Sequence, residues 1–238
     1  EEEDKLFVRE AYVQALSAID CSEYLPQLEE RLQELAEYDA PEEEKKHTQA
    51  ELHALQELIL QKKGVKKHTF NGWNRSSEVL LLTLPAFRDL LAEQVTGKKK
   101  ILKSGVRTIV SDFEDTMKIR TFQELLFVIH TQTEKHVLSS EPETLAAQLA
   151  GSDLLQILAE THKGEAPFYF RIGVSGGMAL EERSSFSRQT AAAIEKAFAR
   201  KLINSTSHYE VEIRLLQNRE GGFVPLLKLY TLPDHRFD

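Results

Sequence analysis

Apolar residues in the first sixty positions recur at helical spacing. Leu6, Val8, Tyr12, Val13, Leu16 and Ile19 mark one amphipathic helix, Leu25, Leu28, Leu32 and Leu35 a second, and Leu52, Leu55, Leu58 and Ile59 a third. Pro26 is tolerated in a first helical turn, Asp39-Ala40-Pro41 breaks the pattern, and Lys62-Lys63-Gly64 closes the third helix. Residues 1–63 are therefore expected to form a small helical bundle or a stub of helical repeats. Residues 64–77 change character: Gly64, Asn71-Gly72, Asn74 and Ser76-Ser77 favour loops, and Lys66, Lys67, His68 and Arg75 make the stretch basic. This segment reads as a linker.

From Glu78 the period switches. Residues 79–84 are an apolar run of strand length stopped by Pro85, and Phe87, Leu90, Leu91 and Val95 suit a short helix. Residues 98–103 and 106–110 read as strands joined at Ser104-Gly105, 113–119 as a short helix and 125–129 as a buried strand. The order β-α-β-β-α-β is that of a ferredoxin-like split unit, expected over 78–135. A second α+β unit is expected over 136–232. Its parts are helices at 141–150 and 153–161, an alternating strand at 168–174, a long helix at 184–202 and a hairpin of 209–216 with 223–230. Residues 233–238 read as the start of a further linker. The fold class is α+β.

Composition narrows the class without naming a function. The chain has 238 residues, 41% hydrophobic and 29% charged, as ordinary globular proteins do. No apolar run approaches the roughly 20 residues that cross a bilayer. Cys21 is the only cysteine, which excludes an internal disulfide and a multi-cysteine zinc site, and a cytoplasmic setting is expected. The chain does not begin with Met and is expected to be cut from a longer protein. Its net charge of −8 is unevenly spread. Residues 1–63 carry 17 acidic and 7 basic side chains, whereas 64–238 carry 21 acidic and 23 basic. Only the later part can tolerate phosphate.

Several segments together resemble a known family. "SEVLLLTLPAFRDLLAEQV" is similar to the opening strand, turn and helix of the N-terminal ferredoxin-like domain in THUMP-type tRNA and ribosomal RNA methyltransferases. "SGVRTIVSDFEDTMKIRTFQELLFVI" resembles its hairpin and helix-to-strand transition, written here as Ile119-Arg120-Thr121. "FYFRIGV" resembles the central strand of the THUMP domain, placing Phe170, Arg171 and Ile172, and "LPDHRF" resembles the lead into a methyltransferase domain. The resemblance covers about residues 77–236. It departs where the family carries an Asn-Pro-Asp-like turn, since Thr206-Ser207-His208 stand there. The front helices, "VREAYVQALSAI" and "EYLPQLEERL", look like degenerate HEAT-type repeats, which the better-known THUMP methyltransferases lack.

The resemblance implies a module that grips structured RNA, a tRNA acceptor end or ribosomal RNA, for an S-adenosylmethionine-dependent domain outside this chain. Thiolation, deamination or pseudouridine formation are alternative chemistries in such enzymes. A protein-binding helical adaptor is the other reading, and a protein partner for the helical segment fits either.

Single-stranded RNA needs cations for phosphates and flat groups for bases. Lys196, Arg200 and Lys201 cluster at the end of the long helix, with Asn204 and Ser205 beyond. Lys196 and Arg200 are four apart and so share a helix face, although a basic helix end also suits its own dipole. Arg171 lies on the alternating strand. Lys98, Lys99, Lys100, Lys103 and Arg107 form a denser stretch, though edge strands often carry lysine to prevent aggregation. Trp73 with Phe70, Asn74 and Arg75 has the composition of a stacking platform or of an interdomain plug.

Other motifs point away from catalysis. Gly173-Val174-Ser175-Gly176-Gly177 invites a phosphate-loop reading, but a helix opening near Ser184 is too distant to serve it. Asp112, Glu114 and Asp115, and likewise Ser184 and Ser185, read as helix caps. His47, His53, His130 and His136 do not combine with Cys or carboxylates at ligand spacing. No catalytic residue, metal site or bound cofactor is expected in this chain.

Overall fold

A computed structural model describes residues 5–64, 68–73 and 76–236 and divides the chain into two compact units, Glu1–Lys67 and His68–Asp238. The first is helical: α1 (Leu6–Leu16), α2 (Leu25–Glu37) and α3 (Glu42–Lys63). Val13, Cys21, Leu35, Leu55 and Leu58 form its core, the residues that the helical period singles out together with the one cysteine. Pro41 precedes α3 and Gly64, at φ 73°, ends it, so both breaks fall where the sequence places them.

The second unit is α+β. Its elements are β1 (Thr69–Phe70), β2 (Ser77–Leu82), α4 (Arg88–Gln94), β3 (Lys99–Leu102), β4 (Gly105–Val110), α5 (Phe113–Thr116), β5 (Glu124–Val128), α6 (Pro142–Ala150), α7 (Leu154–Thr161), β6 (His162–Lys163), β7 (Phe168–Ser175), α8 (Leu180–Ala197), β8 (Leu202–Asn204), β9 (Val211–Gln217) and β10 (Phe223–Leu229). Eight strands form one sheet in the order β3-β4-β2-β5-β10-β9-β7-β8, and β1 pairs separately with β6. The sheet draws strands from both of the expected ranges, 78–135 and 136–232, joined where Leu226 and Leu227 of β10 meet Val128 and Phe127 of β5. Neighbours are antiparallel except at β7, which runs parallel to β8 and β9.

One face of the sheet packs against α4, α6, α7 and α8. Val79, Leu81, Phe127, Phe170, Ile213 and Leu227 meet Leu91, Leu145, Leu158 and Ile194 there, all at most 1% exposed. Each such side chain contributes about 1.5–3 kcal/mol by leaving water. The opposite face carries a smaller buried cluster of Leu80, Leu126, Val128 and Leu226. This two-sided burial accounts for β2 and β5 being continuous apolar runs rather than alternating ones.

The long helix departs from its expected limits. It opens at Leu180, so Ser184 and Ser185 lie inside it and cap nothing. It ends at Ala197 rather than at 202. Ala199 and Arg200 take positive φ, 46° and 57°, and the Arg200 amide turns back to the Glu195 carbonyl in a Schellman-type closure. No glycine marks this stop, which is why the apolar spacing alone runs through it. Residues 202–204 then form β8, paired with β7.

Thr190, fully buried on α8, has no hydrogen-bond partner for its hydroxyl among the described residues. Thr190→Val is therefore expected to stabilise the unit by about 1 kcal/mol, read as a higher urea midpoint at unchanged slope.

Candidate nucleic-acid interface

The Arg171 guanidinium is built into the sheet. Its Nε donates to Glu212 on β9 at 2.8 Å, and its other nitrogens donate to the hydroxyls of Tyr209 at 2.7 Å and Tyr230 at 2.5 Å. It lies over the Tyr209 ring, 4.1 Å from the centroid, and the two tyrosine rings meet edge to face at 5.0 Å. Strand pairing explains the meeting: Val211 faces Leu229 across the β9–β10 hairpin, so tyrosines just outside those strands converge. Gly173 makes room for the acid, because a Cβ there would stand 2.8 Å from a Glu212 oxygen.

Glu212 continues the chain of charge. Arg214 donates to it at 2.6 Å and to Glu124 on β5 at 2.5 Å, and Lys228 also reaches Glu124. The Arg214 hydrogen bond, helped by Lys228 and opposed by burial, holds Glu124 down to about 2. Burial and then the Glu212 carboxylate push the Tyr230 hydroxyl up to about 12. Arg171 is thus a compensated cation, half of an ion pair whose acid is nearly buried.

The helix-end group lies beside β8. Lys196 and Lys201 are exposed and make no ion pair among the described residues. Arg200 does not share their helix face, since it lies beyond the helix end, and its guanidinium stands 3.7 Å from Glu195. It is near enough to Tyr169 to oppose the upward shift that burial and then Glu210 impose on that hydroxyl. The Asn204 amide donates to Glu195 at 2.6 Å. Ser205 is fully buried, and its hydroxyl accepts the His208 amide at 2.9 Å, shaping the Thr206-Ser207-His208 turn.

The other basic stretch is elsewhere. Lys98, Lys100 and Lys103 are exposed on or beside β3, whereas the Lys99 ammonium binds the Ala92 and Val95 carbonyls at the end of α4. Arg107 is held bidentately by Glu78 at 2.6 and 2.7 Å. Because β3 and β8 are the two edges of the eight-stranded sheet, the two lysine groups are separated by seven strand spacings, roughly 34 Å. They cannot form one compact site.

The remaining sequence candidates are used structurally. Trp73 stacks on Phe127 with centroids 4.6 Å apart and packs against the core. Asn74, Arg75, Lys66 and Lys67 lie outside the described residues. Asp112 caps α5 through the Asp115 amide, as expected. His130 stands between Asp153 at 3.2 Å and Glu78 at 3.1 Å, a spatial grouping that sequence spacing does not show. Among the described residues no set of three His, Cys, Asp or Glu is placed to hold a metal ion, and no helix is long and apolar enough to cross a membrane. The glycine turn after β7 does lie close to α8, contrary to expectation, since α8 opens at Leu180. A Cβ on Gly176 would stand 2.5 Å from that of Gln217, so this glycine serves chain packing. Glu181 and Glu182 fill the first turn of α8 and oppose a phosphate there. The turn does not fit an S-adenosylmethionine or nucleotide cradle.

Tyr209, Tyr230 and Glu212 were not singled out by sequence. The available signal was a tyrosine at the outer end of each strand of the expected hairpin.

No family model and no curated protein matches the chain. Among solved structures it is similar to TrmN from Thermus thermophilus, at 17% identity and a TM-score of 0.44, over 63% of this chain and 45% of that one. It is also similar to a 4-thiouridine synthetase–RNA complex with bound ATP, at 15% identity and 0.42, over 64% and 42%, and to a protein complexed with SAH, at 10% identity and 0.45, over 65% and 41%. The chain spans less than half the length of each, and with TM-scores below 0.5 the likenesses are remote.

Proposed function

We propose that the second unit is an RNA-recognition module that takes a single-stranded segment along its β8 edge. The observation that carries this reading is that Lys196 and Lys201 are exposed beside the β8 edge, while the tyrosine-flanked Arg171 stands on the adjoining strand β7. Phosphates and unstacked bases call for that pairing of charge and flat rings. The β3 edge offers lysines without rings, and its charge suits protection of an edge strand.

More particularly, the module is read as the front end of a THUMP-type RNA-modifying enzyme, with a ferredoxin-like first half and a THUMP second half. The strand order β3-β4-β2-β5 supports the ferredoxin-like part, being that of a split β-α-β-β-α-β unit. The motif resemblance supports the second half and implies methyl transfer by an S-adenosylmethionine-dependent domain elsewhere in a longer protein. In that role these residues hold the RNA and set which nucleotide reaches the chemistry.

Binding of tRNA, with and without its 3′ single-stranded end, tests the assignment. Lys196→Glu with Lys201→Glu is expected to weaken binding about tenfold and to lower the log–log salt slope by about 1.5. Charge reversal at Lys98, Lys100 and Lys103 is expected to leave both within twofold. Equal affinities for wild type and the Lys196/Lys201 variant would remove the β8 edge from the interface.

A further inference from the structure

We infer that the cleft between α1, α2 and α3 is a docking groove for a lysine-bearing segment of a partner protein. The cleft has a volume of about 510 Å³ and is walled by all three helices of the first unit. Leu6, Leu35 and Tyr38 supply its apolar part.

Its cations are committed inward. Arg31 forms a two-point bond with Glu51, at 3.0 and 3.4 Å, and reaches Glu34 at 3.2 Å, while Arg9 stands 3.9 Å from the same Glu51. Glu51 is 5% exposed, so this pairing is structural. With three carboxylates against two guanidiniums, the wall keeps a negative balance. Among the described residues Glu44 accepts only the Tyr38 hydroxyl, at 3.0 Å. Thr48 is 6% exposed and lines the cleft, and its hydroxyl makes no side-chain hydrogen bond among the described residues. Its oxygen is within reach of water, so an incoming group would replace a hydration contact there.

The wall therefore offers an acceptor-rich end and an apolar floor, which matches an ammonium on an aliphatic stem. The surrounding charge agrees, since residues 1–63 hold 17 acids and 7 bases. That field attracts a basic segment and repels RNA phosphate. Tyr38, just after α2, lines the groove and is 50% exposed. An exposed aromatic ring in a groove suits a protein surface, where such residues concentrate, better than a free polyamine. The groove thus gives the chain a second contact, independent of the RNA edge.

The test uses the full chain and a fluorescein-labelled twelve-residue peptide of lysine and leucine, read by polarisation at about 50 mM salt. A glutamate–leucine peptide and spermidine serve as probes of charge and of size. The basic peptide is expected to bind and the acidic one not. Glu34→Lys with Glu44→Lys is expected to weaken binding at least about tenfold, and Thr48→Val two- to fivefold. Glu23→Lys with Glu30→Lys carries the same charge change outside the cleft and is expected to stay within twofold. Helical circular dichroism is expected to be equal in all variants, and tRNA affinity unaltered. Equal weakening by the two charge-reversed variants would reduce the effect to the unit's overall field and overturn the groove. Absence of peptide binding, or displacement of the peptide by equimolar spermidine, would overturn it as well.

Discussion

Glu210→Met is expected to lower the stability of the second unit by about 3–5 kcal/mol, the cost of leaving a buried imidazole and a buried backbone amide without their partner. Glu210 stands just before β9 with its side chain 2% exposed, and His68 beside it is 5% exposed. One carboxylate oxygen takes the His68 amide at 2.5 Å and the other faces His68 Nδ1 at 2.8 Å. His68 Nε2 meets the Glu165 carbonyl at 2.9 Å, which can only accept, so that nitrogen carries a proton. The ring also stacks on Phe168 at 3.9 Å. Methionine fills the volume but leaves the imidazole and a backbone amide without an acceptor in a dry site. Glu210→Gln is expected to lose less, because its amide oxygen still receives the His68 N–H. Urea unfolding followed by circular dichroism measures both. A loss under about 1 kcal/mol for the methionine variant would mean that water replaces the carboxylate and that the pair does not anchor the entry of the chain into β1.

Arg214→Met is expected to cost about 2–3 kcal/mol and to change the acid limb of the stability curve. Arg214 lies between Glu212 and Glu124, and Glu212 is 4% exposed. The loss is smaller than for Glu210 because Arg171 and Tyr230 still hold Glu212 and Lys228 still holds Glu124. Glu124 falls from 4.5 to about 2 on folding, with the Arg214 bond as the main cause. Such a depressed carboxylate contributes stability fully above its unfolded value and loses it as pH falls through the folded one. The wild type should therefore lose this contribution between about pH 5 and pH 2. In the variant Glu124 titrates closer to its unfolded value, and the decline across that window should be shallower. Parallel Tm–pH curves for the two proteins would show that Arg214 does not set the Glu124 titration.

Much of the fold is legible from local pattern. The three front helices, the β2–α4–β3–β4 run and the β9–β10 hairpin fall within a few residues of where periodicity places them. The misreadings concentrate where the usual punctuation is missing. α8 ends without glycine, through Ala199 and Arg200 in left-handed backbone, and β8 is three residues long, too short for an alternating signal. The consequence reaches the candidate site, because Arg200 leaves the helix face it would have shared with Lys196.

The site itself was legible only as a list of cations with two polar neighbours, Asn204 and Ser205. Of the eleven residues singled out for RNA, Arg107 and Arg171 answer to carboxylates on neighbouring strands, Lys99 to a helix end, and Ser205 to its own turn. Lysines that look equivalent in sequence stand at opposite edges of one sheet. The two tyrosines that flank Arg171 became visible only once the hairpin register was known.

By itself, then, the amino-acid sequence determined the helical and extended segments, the α+β class and the split between an acidic front and a near-neutral remainder. Those properties depend on neighbours within a few positions or on simple counting. Tertiary structure alone decided that the strands join in one eight-stranded sheet, which cations are neutralised and which face solvent. These outcomes depend on pairs 29 to 104 positions apart, such as Arg107 with Glu78 and Lys228 with Glu124. Strand order brings such pairs together, and no local periodicity encodes strand order.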